Sequence, residues 1–216
     1  MPNRVIIAPS ILAADLSHLQ DEVDSVESYA DWLQIDVMDG HFVPNLSFGV
    51  PIIRNLRTKL LLDIHLMVTN PADRIQEFLK VGVGHITFHA ETVDKADARL
   101  RLIEAIHEGG ATAGIALDPR TSLSAIDDVI GQIDLVLIMS VHPGFSGQKF
   151  LQEVLPRVHE LRKSYPDLII QMDGGIDEKT APLCREAGAN NLVAASAIFG
   201  VPKGKRGEVI ARLRGE

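Results

Sequence analysis

The sequence predicts an α/β protein, a closed (β/α)8 TIM barrel, on three observations. Short apolar runs rich in β-branched residues alternate with segments of helical periodicity along the whole chain. Eight of each fit into 216 residues with no linker left over, close to the minimum for this barrel. The first strand runs into Ala8-Pro9-Ser10-Ile11-Leu12, and no G-x-G-x-x-G turn occurs anywhere, which sets aside the open doubly wound sheet.

The strands are expected at 5–8, 32–36, 60–66, 85–89, 112–117, 135–139, 168–172 and 191–195, and the helices at 17–29, 48–58, 72–82, 95–109, 122–130, 150–164, 178–187 and 205–214. With 46% hydrophobic and 23% charged residues the chain can bury one core, and a single domain over 1–216 is expected. A formal charge of -8, with 21 scattered Lys and Arg, excludes non-specific attraction to nucleic acid or an anionic membrane. Cys184 is the lone cysteine, so no internal disulfide forms and a reducing compartment fits. The N-terminal segment lacks a secretory pattern, and no run approaches the ~18 to 20 apolar residues of a membrane span. The expectation is a cytoplasmic protein.

Alternate side chains of a barrel strand point inward, and those at its C-terminal end line the mouth where chemistry occurs. In the second strand this turns Trp32, Gln34 and Asp36 toward the axis, in the third Asp63, His65 and Met67, and in the seventh Ile169, Gln171 and Asp173. Asp36, His65 and Asp173 therefore converge from separate strands as ligands suited to one divalent ion, Zn²⁺, Fe²⁺ or Mn²⁺. His89 also points inward, either as a further ligand or substrate contact or as a satisfied buried histidine. His18, His107 and His159 fall on helix surfaces.

Glycines gather at the mouth of the last three strands, in Gly144-Phe145-Ser146-Gly147, in Gly174-Gly175 and, with alanine, in Ala195-Ser196. Backbone N–H groups unhindered by side chains approach an anion closely, so the loops after strands six, seven and eight read as a phosphate grip.

In five blocks the chain resembles the ribulose-phosphate 3-epimerase family: Ala8-Pro9-Ser10-Ile11-Leu12 with Asp15, Asp36-Val37-Met38-Asp39-Gly40-His41-Phe42-Val43-Pro44-Asn45, Asp63-Ile64-His65-Leu66-Met67-Val68, Pro143-Gly144-Phe145-Ser146-Gly147-Gln148 and Asp173-Gly174-Gly175-Ile176. The resemblance implies a metal-dependent isomerase that interconverts D-ribulose 5-phosphate and D-xylulose 5-phosphate in the pentose phosphate pathway. It implies that Asp36 and Asp173 are both ligands and the acid/base pair, and that His65 is a third ligand that also meets substrate. Ser10 would contact substrate, Gly144, Phe145, Ser146, Gly147, Gly174, Gly175, Ala195 and Ser196 would hold the phosphate, and Met38, Met67 and Met139 would cap the site. A homo-oligomer is expected by the same resemblance.

Moving a proton from one face of C3 to the other takes two acid/base groups, and two carboxylates on different strands supply them. Two positions depart from the family pattern. Gln34 stands where a fourth ligand, histidine, is usual, and an amide oxygen is a weaker ligand than imidazole. Ala195 stands where glycine is usual, and its effect depends on backbone angles. Two other readings compete, a hexulose-6-phosphate 3-epimerase and a non-catalytic sugar-phosphate binder. Decarboxylases and aldolases of the same fold carry lysine within an Asp-x-Lys motif, where this chain has Asp63-Ile64-His65.

Overall fold

The computed structural model describes residues 4–145 and 147–216. Its strands are β1 (Ile6–Pro9), β2 (Trp32–Met38), β3 (Leu61–Met67), β4 (His85–His89), β5 (Thr112–Leu117), β6 (Leu135–Met139), β7 (Ile169–Asp173) and β8 (Asn191–Ala194). All pair in parallel, in the order β1-β8-β7-β6-β5-β4-β3-β2. One parallel bridge, Ser10 to Gln34, joins the two ends and nearly closes the barrel.

Below that bridge a side chain takes over the pairing. The Ile7 N–H donates to the Asp31 carboxylate at 3.0 Å, and the Asp31 N–H returns to the Ile7 carbonyl at 3.1 Å. Arg214 holds the same carboxylate at 2.7 Å, so the end of the chain secures the seam between β1 and β2.

Helices α1 (Leu19–Glu27), α2 (Val50–Ile53), α3 (Ala72–Leu79), α4 (Ala96–Glu108), α5 (Leu155–Ser164), α6 (Ala181–Ala187), α7 (Ser196–Phe199) and α8 (Arg206–Arg214) surround the sheet. Cys184 lies on the buried face of α6. Two expected helices differ. Residues 122–130 do not form one: Ser122 caps a single 3₁₀ turn, Leu123–Ile126, and another, Ile130–Gln132, follows. A Ser-Ala-Ile-Asp-Asp run with Gly131 behind it lets side chains compete for backbone donors and favours short turns. The helix expected at 48–58 stops after four residues, because α1 captures the chain that follows. Gln20 accepts the Arg57 N–H at 3.0 Å, and Glu27 accepts the Lys59 N–H at 2.7 Å.

Outward residues such as Leu33, Ile35, Ile64 and Ile170 pack under the helices in the main core. The barrel interior is layered. Trp32, Leu135 and Ile169 form an apolar floor, and β-register places Gln34 beside Asp63 and Gln171 beside Leu137 and Asn191 above it. Asp36, His65 and Asp173 stand one pleat higher, at the mouth. Among the described residues no helix is long and apolar enough to cross a membrane.

Candidate active site

Register brings the expected groups together. Asp36 and His65 are direct partners across β2 and β3, as are Met38 and Met67 one pleat further on, and Asp173 faces Met139 across β7 and β6. The Asp36 carboxylate accepts from the Ser10 hydroxyl and from Gln34 Nε2 at 2.9 Å, and lies 3.0 Å from His65 Nδ1. Gln34 Nε2 also donates to Asp173 at 2.9 Å, and His65 Nδ1 lies 3.7 Å from that carboxylate. One oxygen each from Asp36 and Asp173 and one nitrogen of His65 lie within 4.8 Å of one another.

Burial, and then the neighbouring charge of Asp36, push the Asp173 pKa upward. Burial likewise raises Asp63 to about 7, against a 2.7 Å hydrogen bond from Gln171. Burial disfavours a charged His65, but the hydrogen bond and charge of Asp36 outweigh it and its pKa rises.

Two carboxylates and an imidazole at this spacing suit a divalent cation. Gln34 offers them its NH2 group in this arrangement, while its Oε1 is buried without a partner. Turning the amide over would present that oxygen to a cation held by the other three. The residues present therefore fit a three-ligand ion with a weak fourth donor.

A cavity of about 500 Å³ opens above the pair. Its wall includes Ser10, Asp36, Met38, Met67, Met139, Gly144, Phe145, Gly147, Asp173, Gly174, Gly175, Ala195 and Ser196. Ser146 lies outside the described residues. His65 is fully buried and does not line the cavity. His89 does not join the three converging ligands either; it sits behind His65, also fully buried.

The glycine pair after β7 has a steric reason. Gly174 has φ +115°, and a Cβ there would lie 2.5 Å from Val141; Gly175 has φ +65°, and its Cβ would lie 2.8 Å from the Phe150 nitrogen. Ala195, by contrast, has φ -106° and ψ -87°, away from the left-handed region that favours glycine.

The ten-residue block after β2 forms the near wall of the mouth. Asp39 accepts backbone N–H groups from His41 and Phe42 at 2.9 Å and from Thr69 at 2.7 Å, tying the loops after β2 and β3 together. Burial alone would raise its pKa, but these three donors hold it at about 2. Phe42 and Val43 then pack with Met38 and Met67. Ser47, to which the sequence assigned nothing, donates to the Asp36 carbonyl and accepts the Met38 N–H, fixing the end of β2.

A family model described as the ribulose-phosphate 3 epimerase family matches residues 6–199. This chain belongs to that family. It is 45% identical over 214 residues to the "Ribulose-phosphate 3-epimerase, cytoplasmic isoform" of Oryza sativa subsp. japonica, covering 96% of this chain and 92% of the relative. It is also 45% identical over 217 residues to the ribulose-phosphate 3-epimerase of Bacillus subtilis (strain 168), covering 97% and 98%. Among solved structures, 3-hexulose-6-phosphate synthase from Salmonella typhimurium superposes with a TM-score of 0.70 at 16% identity, covering 97% of both chains. The tryptophan synthase alpha subunit from Legionella pneumophila str. Paris does so with a TM-score of 0.67 at 13% identity, covering 98% of this chain and 92% of that one. At such identities the likeness concerns the barrel alone. An epimerase site on this scaffold thus rests on the side chains at its mouth.

Proposed function

We propose that this chain epimerises D-ribulose 5-phosphate and D-xylulose 5-phosphate at C3, with Asp36 and Asp173 exchanging the proton. The observation that carries the reading is the pair itself: two carboxylates from β2 and β7, bridged by one amide, at the end of a cavity whose far wall is backbone-rich.

The phosphate would lie against Gly144, Phe145, Gly147, Gly174, Gly175, Ala195 and Ser196, with Ser146 in the same loop, and the ketose chain would reach from there toward the aspartates. Ser10 would orient the substrate beside Asp36. One carboxylate removes the C3 proton and the other returns one to the opposite face, so neither has to reach across the plane of the enediolate. Met38, Met67 and Met139 would cover the flat enediolate with polarisable, apolar surface and keep water from it. A divalent ion, Zn²⁺, Fe²⁺ or Mn²⁺, when held by Asp36, His65 and Asp173, would supply positive charge to the enediolate oxygens. We place the enzyme in the pentose phosphate pathway, in the cytoplasm, and expect it to act as a homo-oligomer.

The test is an assay on D-ribulose 5-phosphate beside a hexulose 6-phosphate, before and after chelation. Preferred turnover of the pentulose, lost on chelation and restored by metal, is the expected result. Preferred turnover of the hexulose would transfer the reading to the hexulose-6-phosphate 3-epimerase, and turnover of neither sugar would favour a non-catalytic binder.

A further inference from the structure

Behind His65 runs a line of polar groups that the reaction itself does not use. His65 Nε2 lies 2.8 Å from His89 Nε2, with the ring planes 25° apart and the centroids 5.0 Å apart. His89 Nδ1 lies 3.1 Å from Glu91 Oε2. The other Glu91 oxygen accepts the Asp118 N–H at 2.8 Å and the Thr121 hydroxyl, both from the loop after β5. Phe42 covers His89 from the mouth side, with ring centroids 4.7 Å apart. Both histidines are fully buried.

The direction of every hydrogen bond in this line follows from its outer end. Burial would raise the Glu91 pKa, but the contacts with His89, Thr121 and the Asp118 N–H hold it at about 2. A carboxylate can only accept, so His89 Nδ1 carries the proton of that bond. With that proton on Nδ1, Nε2 of His89 is the ring nitrogen left to accept, and the 2.8 Å contact is completed by His65 donating from its own Nε2. That leaves Nδ1 of His65, the nitrogen facing Asp36 and Asp173, as the one that can shed its proton and bind a cation. If the line ran the other way, the proton on His65 would sit on Nδ1 and block the site.

We propose that Glu91 and His89 are positioning residues that fix the His65 tautomer, so that Nδ1 is the nitrogen offered to a metal ion. The inference rests on the metal reading of Asp36, His65 and Asp173. It gives the His89-Ala90-Glu91 turn after β4 a function, although neither polar side chain lines the cavity. Partners of this kind raise ligand basicity and hold the ring in place, and losing one costs about 10- to 100-fold in metal affinity.

The experiment measures Zn²⁺ dissociation constants by chelator competition on the full chain, with ¹⁵N NMR of the histidine rings to read the tautomers. Glu91→Gln, nearly the same shape but without the obligatory acceptor, should weaken Zn²⁺ binding about 10- to 100-fold and shift the His65 Nε2 signal away from the protonated form. His89→Leu should do at least as much, and His89→Gln, which keeps an acceptor, should recover part of the loss. Thr121→Val removes a hydrogen bond to Glu91 without touching the His89 side, and should leave the affinity within about twofold. Equal weakening by Thr121→Val and Glu91→Gln would reduce Glu91 to a loop anchor and overturn the proposal. So would unchanged affinity and tautomer in Glu91→Gln. A parent chain that binds no Zn²⁺ would instead strike at the metal reading, while its ring ¹⁵N signals still report whether Glu91 sets the tautomer.

Discussion

The two walls of the barrel mouth are built on different principles. The wall from β2 to β4 works through side chains: Asp36, His65, His89 and Glu91 are linked in series, each held by the next. The wall from β6 to β8 works through the absence of side chains, with Gly174 and Gly175 held in left-handed backbone against Val141 and Phe150. Asp173 belongs to the second wall by sequence and to the first by chemistry, because Gln34 joins it to Asp36. Chemistry and anchoring are thus separable, and substitutions should divide accordingly.

The largest effect that would sharpen this division is expected at Gly174. Gly174→Ala puts a Cβ 2.5 Å from Val141 in a backbone region that costs an ordinary residue roughly 1–2 kcal/mol. Inorganic phosphate and substrate should bind about 10- to 100-fold more weakly, while Zn²⁺ affinity, touched only through the neighbouring Asp173, should fall far less. An equal loss of metal binding would break the separation of the walls. Next comes Gln34→His, which replaces an amide by a better ligand and should tighten Zn²⁺ binding about tenfold or more, read by chelator competition.

A smaller effect concerns pH. The folded pKa of Glu91, about 2, lies below its ordinary value of 4.5. Its contribution to stability is therefore complete above pH 4.5 and is lost as pH falls from there toward 2. Urea unfolding of metal-free protein should show a shallower loss of stability across that window in Glu91→Gln than in the parent. Identical slopes would remove the carboxylate from the account of that wall. The smallest effect belongs to Ala195→Gly. With φ already at -106°, substrate KM should stay within about twofold, and a large improvement would show that the methyl group obstructs the phosphate.

Much of this was legible in the sequence because a strand's alternation is strict. Once 32–36 and 168–172 read as strands, the inward direction of Asp36 and the approach of Asp173 followed from counting by two. The expected second strand proved two residues short of Met38, while β1, β3 and β7 each lie one residue further along the chain than expected. Helix lengths were less legible where the competitor was remote: nothing in 54–59 announces that Gln20 and Glu27 will take the backbone donors of Arg57 and Lys59. The same limit hid the part played by Glu91. Its spacing from His89 is visible, but its link to Asp118 and Thr121 spans the loop after another strand. Ala195 was an open question for a related reason, since a sequence carries no φ.

The central claim, that Asp36 and Asp173 shuttle the proton at C3, is tested most directly by running the reaction in D2O with the parent and with Asp173→Asn. The account predicts one solvent deuterium at C3 of the xylulose 5-phosphate formed by the parent, and turnover lower by about 10²- to 10⁴-fold in the folded variant. Product without deuterium at C3, or near-parental turnover by Asp173→Asn, would contradict it.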